Sequence, residues 1–121
     1  MALVLIVDDS PTDVHVMQTA LERSGFTTAA AADGGEAIRK ARELRPDLIL
    51  MDIVMPGVNG CQATRELAND PETRTIPVIM ISSKSQESDR VWGLRQGAVD
   101  YLVKPVSAEQ LVRTAQAALA A

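Results

Sequence analysis

The sequence predicts a doubly wound α/β fold, a five-stranded parallel sheet with helices on both faces. Three observations predict it. Five short apolar runs recur along the chain. Segments with helical spacing separate them. Most runs are continuously apolar rather than alternating, as strands buried on both faces require. A strand–helix unit repeated five times demands parallel pairing through right-handed crossovers.

The runs are Leu3–Val7, Thr27–Ala31, Leu48–Met51, Val78–Ile81 and Val99–Val103. The second is weakest, because Ala and Thr dominate it. Ser10 and Pro11 read as helix cap and first helical position. Val14, Met17 and Leu21 follow at helical spacing, and Gly25 ends the helix. Asp33 and Glu36 form a capping pair for a helix carrying Ile38, Ala41 and Leu44. A third helix is predicted to follow Gly60 and run to about residue 68, and a fourth to run from about 86 to 96 with Gly97 as its stop. The last opens on Ser107-Ala-Glu-Gln110, a capping-box pattern, with Leu111, Ala115, Ala118 and Leu119 on one stripe. The expectation is one domain over residues 1–121 with no output domain.

Composition narrows the function classes. Of 121 residues, 46% are hydrophobic, which fits a globular domain. A single Trp, Tyr and Phe leave the core to aliphatic residues. A net charge of −4 lacks the basic footprint of a nucleic-acid surface. Cys61 is the lone cysteine, so no internal disulfide forms and a reducing compartment fits. No signal-peptide pattern and no apolar run of membrane-spanning length occur. A cytoplasmic monomer without nucleic-acid or membrane contacts is expected.

In a doubly wound sheet every strand ends along one edge, where ligands bind. Asp8 and Asp9 follow the first run, Asp52 the third, Ser82 and Ser83 the fourth, Lys104 and Pro105 the fifth. Three carboxylates together repel, and a divalent cation relieves them. All-oxygen ligands on an open site favour Mg²⁺. With Lys104 and a hydroxyl from Ser82 nearby, Asp52 can accept a phosphoryl group as an acyl phosphate.

"VDDS", "MDIVMPGVNG", "VIMISS" and "DYLVKP", in this order and spacing, resemble the response-regulator receiver family over essentially the whole chain. Within it the chain is similar to the stand-alone chemotaxis-type receivers. Through "DDSPT", "MDIVMPGVNG" and "VWGLRQGA" it most resembles the small twitching-motility regulators of type IV pilus systems. The resemblance implies a flavodoxin-like (βα)5 fold with strand order 2-1-3-4-5. It implies a signalling receiver rather than an enzyme, phosphorylated by a histidine kinase or its phosphotransfer domain. Asp52 would be the phosphoacceptor. Asp9 would bind Mg²⁺ directly with help from Asp8, and the Val54 main-chain carbonyl would be a further ligand. Lys104 would pair with Asp52 and then with the phosphoryl group, Ser82 would move toward it, and Tyr101 would be the aromatic switch. The Lys104–Pro105 bond would be cis, "PGVNG" would form the loop after the third strand, and Val54 and Lys84 would tune phosphate lifetime. A downstream protein would read the 86–120 face.

Each residue also has a plain reading. "DD" alone is a strand-end turn, Asp52 alone a loop residue, and Lys104 alone a solvated lysine. Ser82 competes with Ser83 and Ser85. Tyr101 reads equally as a static edge residue, and Trp92 as packing or partner surface. His15 reads as a surface helix residue and Cys61 as a small packing residue. A phosphate sink for a sister regulator is a second role, and a Mg²⁺-dependent phosphotransferase or phosphatase on small molecules a third. A flavin carrier of similar topology would want a phosphate cradle where two aspartates stand.

Overall fold

The computed structural model describes residues 2–55 and 57–120. Met1 and Ala121, at the ends of the expected domain, and Pro56 of the "PGVNG" loop lie outside them. Five strands alternate with five helices: β1 (Leu3–Val7), α1 (Pro11–Arg23), β2 (Thr27–Ala31), α2 (Gly34–Leu44), β3 (Leu48–Asp52), α3 (Gly60–Asn69), β4 (Val78–Ser82), α4 (Glu87–Arg95), β5 (Asp100–Val103) and α5 (Ala108–Ala120). All neighbouring strands pair in parallel, in the order β2-β1-β3-β4-β5.

Period-two alternation divides the strand side chains between two layers. Val4, Ile6, Leu48, Leu50, Ile79 and Ile81 face one side, where Met17 and Leu21 of α1 and Leu111 and Ala115 of α5 cover them. Leu5, Val7, Ile49, Met51 and Val78 face the other, under Ala37 and Ala41 of α2 and Ala63 and Leu67 of α3. A smaller cluster joins Met80, Ala98 and Tyr101, with Leu94 of α4 packed against it. β2 lies at the sheet edge, and only Ala31 of its five residues is buried. That position explains its weak apolar signal.

Caps set the helix starts. Ser10 Oγ accepts from Asp13 N at 3.3 Å, Asp33 Oδ1 from Glu36 N at 2.8 Å, Asn59 Oδ1 from Gln62 N at 2.9 Å, and Ser107 Oγ from Gln110 N at 3.1 Å. Each satisfies a donor the helix leaves orphaned. The Asp33–Glu36 pair is not reciprocal, because the Glu36 carboxylate accepts from Ala32 N at 2.6 Å. That hydrogen bond lowers the Glu36 pKa.

Boundaries shift where apolar periodicity is blind. β3 and β4 run one residue further than their apolar runs, so Asp52 and Ser82 are the last strand residues. Asp52 is in register with Ile81, and Ser82 with Val103. β5 begins at Asp100 rather than at exposed Val99. α3 reaches Asn69, and α4 uses residues 86 and 96 as its caps.

Candidate functional site

Four strand ends meet along one edge. Asp8, just past β1, is buried, and its N–H donates to Ala31 O at 3.0 Å. Its Oδ1 accepts from Ser10 N at 2.9 Å and its Oδ2 from Lys104 Nζ at 2.9 Å. Asp9 is exposed. Asp52 is 8% exposed. Carboxylate oxygens of Asp8, Asp9 and Asp52 all lie within 4.8 Å of one another.

Gly60 sets the floor beneath Asp52. Its N–H donates to Ile53 O at 2.9 Å. A Cβ there would fall on the Asp52 carbonyl oxygen and 2.8 Å from Ile53 Cα, so no larger residue lets α3 begin so close to β3.

Charge at this edge is uneven. Burial, then the Asp8 charge, raises the Asp52 pKa to about 6, against the pull of Lys104. Burial also works against the Lys104 charge, yet hydrogen bonds to Asp8 and Asp13 and the charge of Asp52 hold its pKa above the usual lysine range. Three clustered carboxylates, one exposed and one buried with a raised pKa, all oxygen donors, fit a hard divalent cation.

Lys104 forms the expected ion pair with Asp52 and adds contacts of its own. Its Nζ is 3.6 Å from Asp52 Oδ2, but its hydrogen bonds go to Asp8 Oδ2 and Asp13 Oδ2, each at 2.9 Å. Asp13 is the residue that motif reading missed. Its only signal was position, in the first turn of a helix that starts at the same edge. The Lys104–Pro105 peptide is cis.

Ser82 is fully buried, and its Oγ accepts from Lys84 N at 3.2 Å. Tyr101 is also buried, and its hydroxyl donates to Lys84 O at 2.9 Å. The Lys84 backbone thus bridges the Ser82 hydroxyl and the Tyr101 ring. Gly93 of α4 lets the helix lie close to that ring: a Cβ there would stand 2.6 Å from Met80 Sδ and 3.2 Å from Tyr101 Cδ2.

Val54 is exposed and, with Lys84, Asp89, Cys61 and Trp92, borders a groove of about 360 Å³ beside the β3–α3 loop. Trp92 is 52% exposed, which excludes core packing. Cys61 is half-buried, and burial pushes its thiol pKa up. His15 is exposed on α1. Among the described residues no helix is long and apolar enough to cross a membrane.

Comparison with known proteins matches this geometry. The response regulator receiver domain matches residues 4–116. Protein PilH of Pseudomonas aeruginosa is 54% identical over 120 residues, covering 99% of both chains. The DNA-binding response regulator MtrA of Mycolicibacterium smegmatis is 40% identical over 116 residues, and the match spans half its length. Among solved structures, chemotaxis protein CheY4 of Vibrio cholerae superposes with a TM-score of 0.92 at 33% identity, over 98% of this chain and 99% of that one. The receiver domain of a sensor histidine kinase from Pseudomonas aeruginosa PAO1, which holds a magnesium ion in its active site cleft, gives a TM-score of 0.92 at 33% identity over 99% and 98%. A sheet edge built from four strand ends, carried on a sequence that matches from residue 4 to 116, identifies the chain as a member of the response regulator receiver domain family.

Proposed function

We propose that this chain is a phosphorelay response regulator that accepts a phosphoryl group on Asp52 and switches its affinity for a protein partner. The observation that carries the reading is the carboxylate cluster of Asp8, Asp9 and Asp52, within 4.8 Å, beside the Lys104 ammonium. The donor is a phosphohistidine of a histidine kinase or of its phosphotransfer domain. Asp8, Asp9, Asp52 and the Val54 main-chain carbonyl would hold Mg²⁺, which when bound would supply positive charge for the carboxylates and the transferring oxygens.

The chain's own residues do the rest. An Asp52 carboxylate oxygen attacks phosphorus in line. The new O–P bond forms as the P–N bond breaks. The imidazole keeps that electron pair and leaves neutral, its other ring nitrogen already carrying a proton. Lys104 supplies fixed positive charge for the phosphoryl oxygens. The Ser82 hydroxyl turns to donate to them. That turn takes it from Lys84 N, the neighbour of the carbonyl that holds Tyr101. Tyr101 and α4 then shift as a population change rather than a rigid stroke. Serine lacks the methyl of threonine, which loosens this coupling, and Val54 gives no polar side chain to orient an attacking water.

The partner reads the 86–120 face, where Val91, Trp92, Val99 and Val103 are exposed. In this reading the chain is a monomeric cytoplasmic receiver in twitching motility or chemotaxis-like signalling, and the similarity to PilH over 99% of both chains supports that pathway. A phosphate-sink role uses the same chemistry. Intact-mass measurement after incubation with Mg²⁺ and acetyl phosphate tests the reading. Wild type gains one phosphoryl group and Asp52→Asn gains none. Sustained labelling of Asp52→Asn removes that residue as the acceptor. Trp92 fluorescence during beryllofluoride titration reads the coupling to α4, and an Asp52-independent signal breaks it.

A further inference from the structure

Asp13 lies outside the four motifs, yet it holds the cation of the site. It is the third residue of α1, and its own N–H donates to Ser10 Oγ. An acid at this position ordinarily reaches back to the backbone N–H of the capping residue. Here the Ser10 N–H already donates to Asp8 Oδ1 at 2.9 Å. The Asp13 carboxylate turns across the sheet edge instead and accepts from Lys104 Nζ at 2.9 Å.

Lys104 is anchored by its backbone, whose N–H donates to Ser82 O at 2.8 Å. Its side chain is the part free to move. Two of its three ammonium donors are committed to Asp8 and Asp13. Asp52, at 3.6 Å, is beyond hydrogen-bond distance. The ammonium that a phosphoryl group on Asp52 would draw is therefore already held on two sides. Of the two partners, Asp8 has a side chain 1% exposed and Asp13 one 44% exposed. Released Asp13 is rehydrated at once, whereas released Asp8 is left buried.

Resting on the reading of Asp52 as acceptor, we propose that Asp13 is a positioning residue that holds Lys104 back from Asp52 and releases it when a phosphoryl group arrives. The carboxylate thereby biases the unphosphorylated chain against the phosphorylated arrangement.

The test uses the full chain with Mg²⁺ and beryllofluoride, a stand-in for the phosphoryl group, followed by ¹⁹F NMR. Asp13→Asn is expected to tighten beryllofluoride binding about fivefold, the scale of one partly exposed charge pair. Asp13→Glu, which keeps the carboxylate, is expected to bind like wild type. In a Lys104→Met background, Asp13→Asn should change binding little. Asp13→Ser is a second variant suited to a first helical turn, and thermal melts verify that each variant folds. Unchanged binding in Asp13→Asn overturns the proposal. So does equal tightening with and without Lys104, which is a field effect of lost negative charge. Tightening in Asp13→Glu also overturns it. If wild type takes up neither beryllofluoride nor a phosphoryl group from acetyl phosphate, the reading of Asp52 fails and this proposal with it. A wild type that labels while Asp13→Asn is unchanged removes the restraint alone.

Discussion

Helices α1 and α4 flank the same sheet edge and are held in opposite ways. α1 buries Met17 and Leu21 in the larger cluster and is tied to β5's end by the Asp13–Lys104 ion pair. α4 buries only Gly93, and its apolar Val91 and Trp92 face solvent. One helix is fixed by packing and charge. The other rests on Gly93 against Met80 and the Tyr101 ring, with a partly buried Leu94 beside them. The difference teaches where this fold keeps its chemistry rigid and where it leaves room to respond. Little packed area means a low local opening free energy.

The largest effect should come from the fixed side. Leu21→Ala removes a fully buried side chain and should cost about 4 kcal/mol in urea denaturation. Leu94→Ala, at the partly buried equivalent in α4, should cost under about 1.5 kcal/mol. Equal losses would erase the contrast.

Next comes the charge stored beside α1. The Asp52 pKa rises from 3.8 to about 6 in the fold. The folded chain then binds more protons than the unfolded one across that window, so stability falls as pH rises through it. Without metal, wild type should lose at most about 2.4 kcal/mol relative to Asp52→Asn between pH 4 and pH 7, less than the full shift because the unfolded carboxyl is already largely ionised at pH 4. Paired urea titrations in EDTA measure the difference. A flat difference would mean that Asp52 stores no such charge.

On the loose side, Gly93→Ala forces a methyl against Met80 and Tyr101 and should cost about 2 kcal/mol. Hydrogen exchange should rise in α4 and stay unchanged in α1. Spread of the effect to α1 would show the two helices to be one cooperative unit. The smallest change is Tyr101→Phe, which removes the hydrogen bond to Lys84 O for about 1 kcal/mol. Its sharper readout is Trp92 fluorescence on beryllofluoride addition, which should lose its link to Ser82.

The strands were legible because burial on both faces leaves runs such as "LVLIV" and "VIMI" with no polar interruption. The same reasoning stopped one residue short at Asp52 and Ser82. Those residues complete strands while turning polar groups to the site, and hydropathy registers only the change of chemistry. The convergence of Asp8, Asp9, Asp52 and Lys104 followed from topology, since parallel strands end on one edge. The partners of Lys104 did not follow. A first-turn aspartate has an ordinary role at a helix dipole, and nothing in its spacing reveals that Asp8 has taken the capping N–H. The position of α4 was legible without its looseness: "ESDRVWGLR" lacks an apolar stripe, and the ring beneath Gly93 is a tertiary fact.

The strand ends that meet at this edge are widely separated along the chain: the Lys104–Asp8 contact alone spans 96 residues. No fragment shorter than residues 8–104 contains Asp8, Asp9, Asp52 and Lys104 together. Competence to be labelled is therefore a property of the finished fold. Labelling by acetyl phosphate, followed through a urea titration, should trace the same curve as global unfolding. On the proposed function, a copy that has not closed this edge takes no phosphoryl group and passes no signal on.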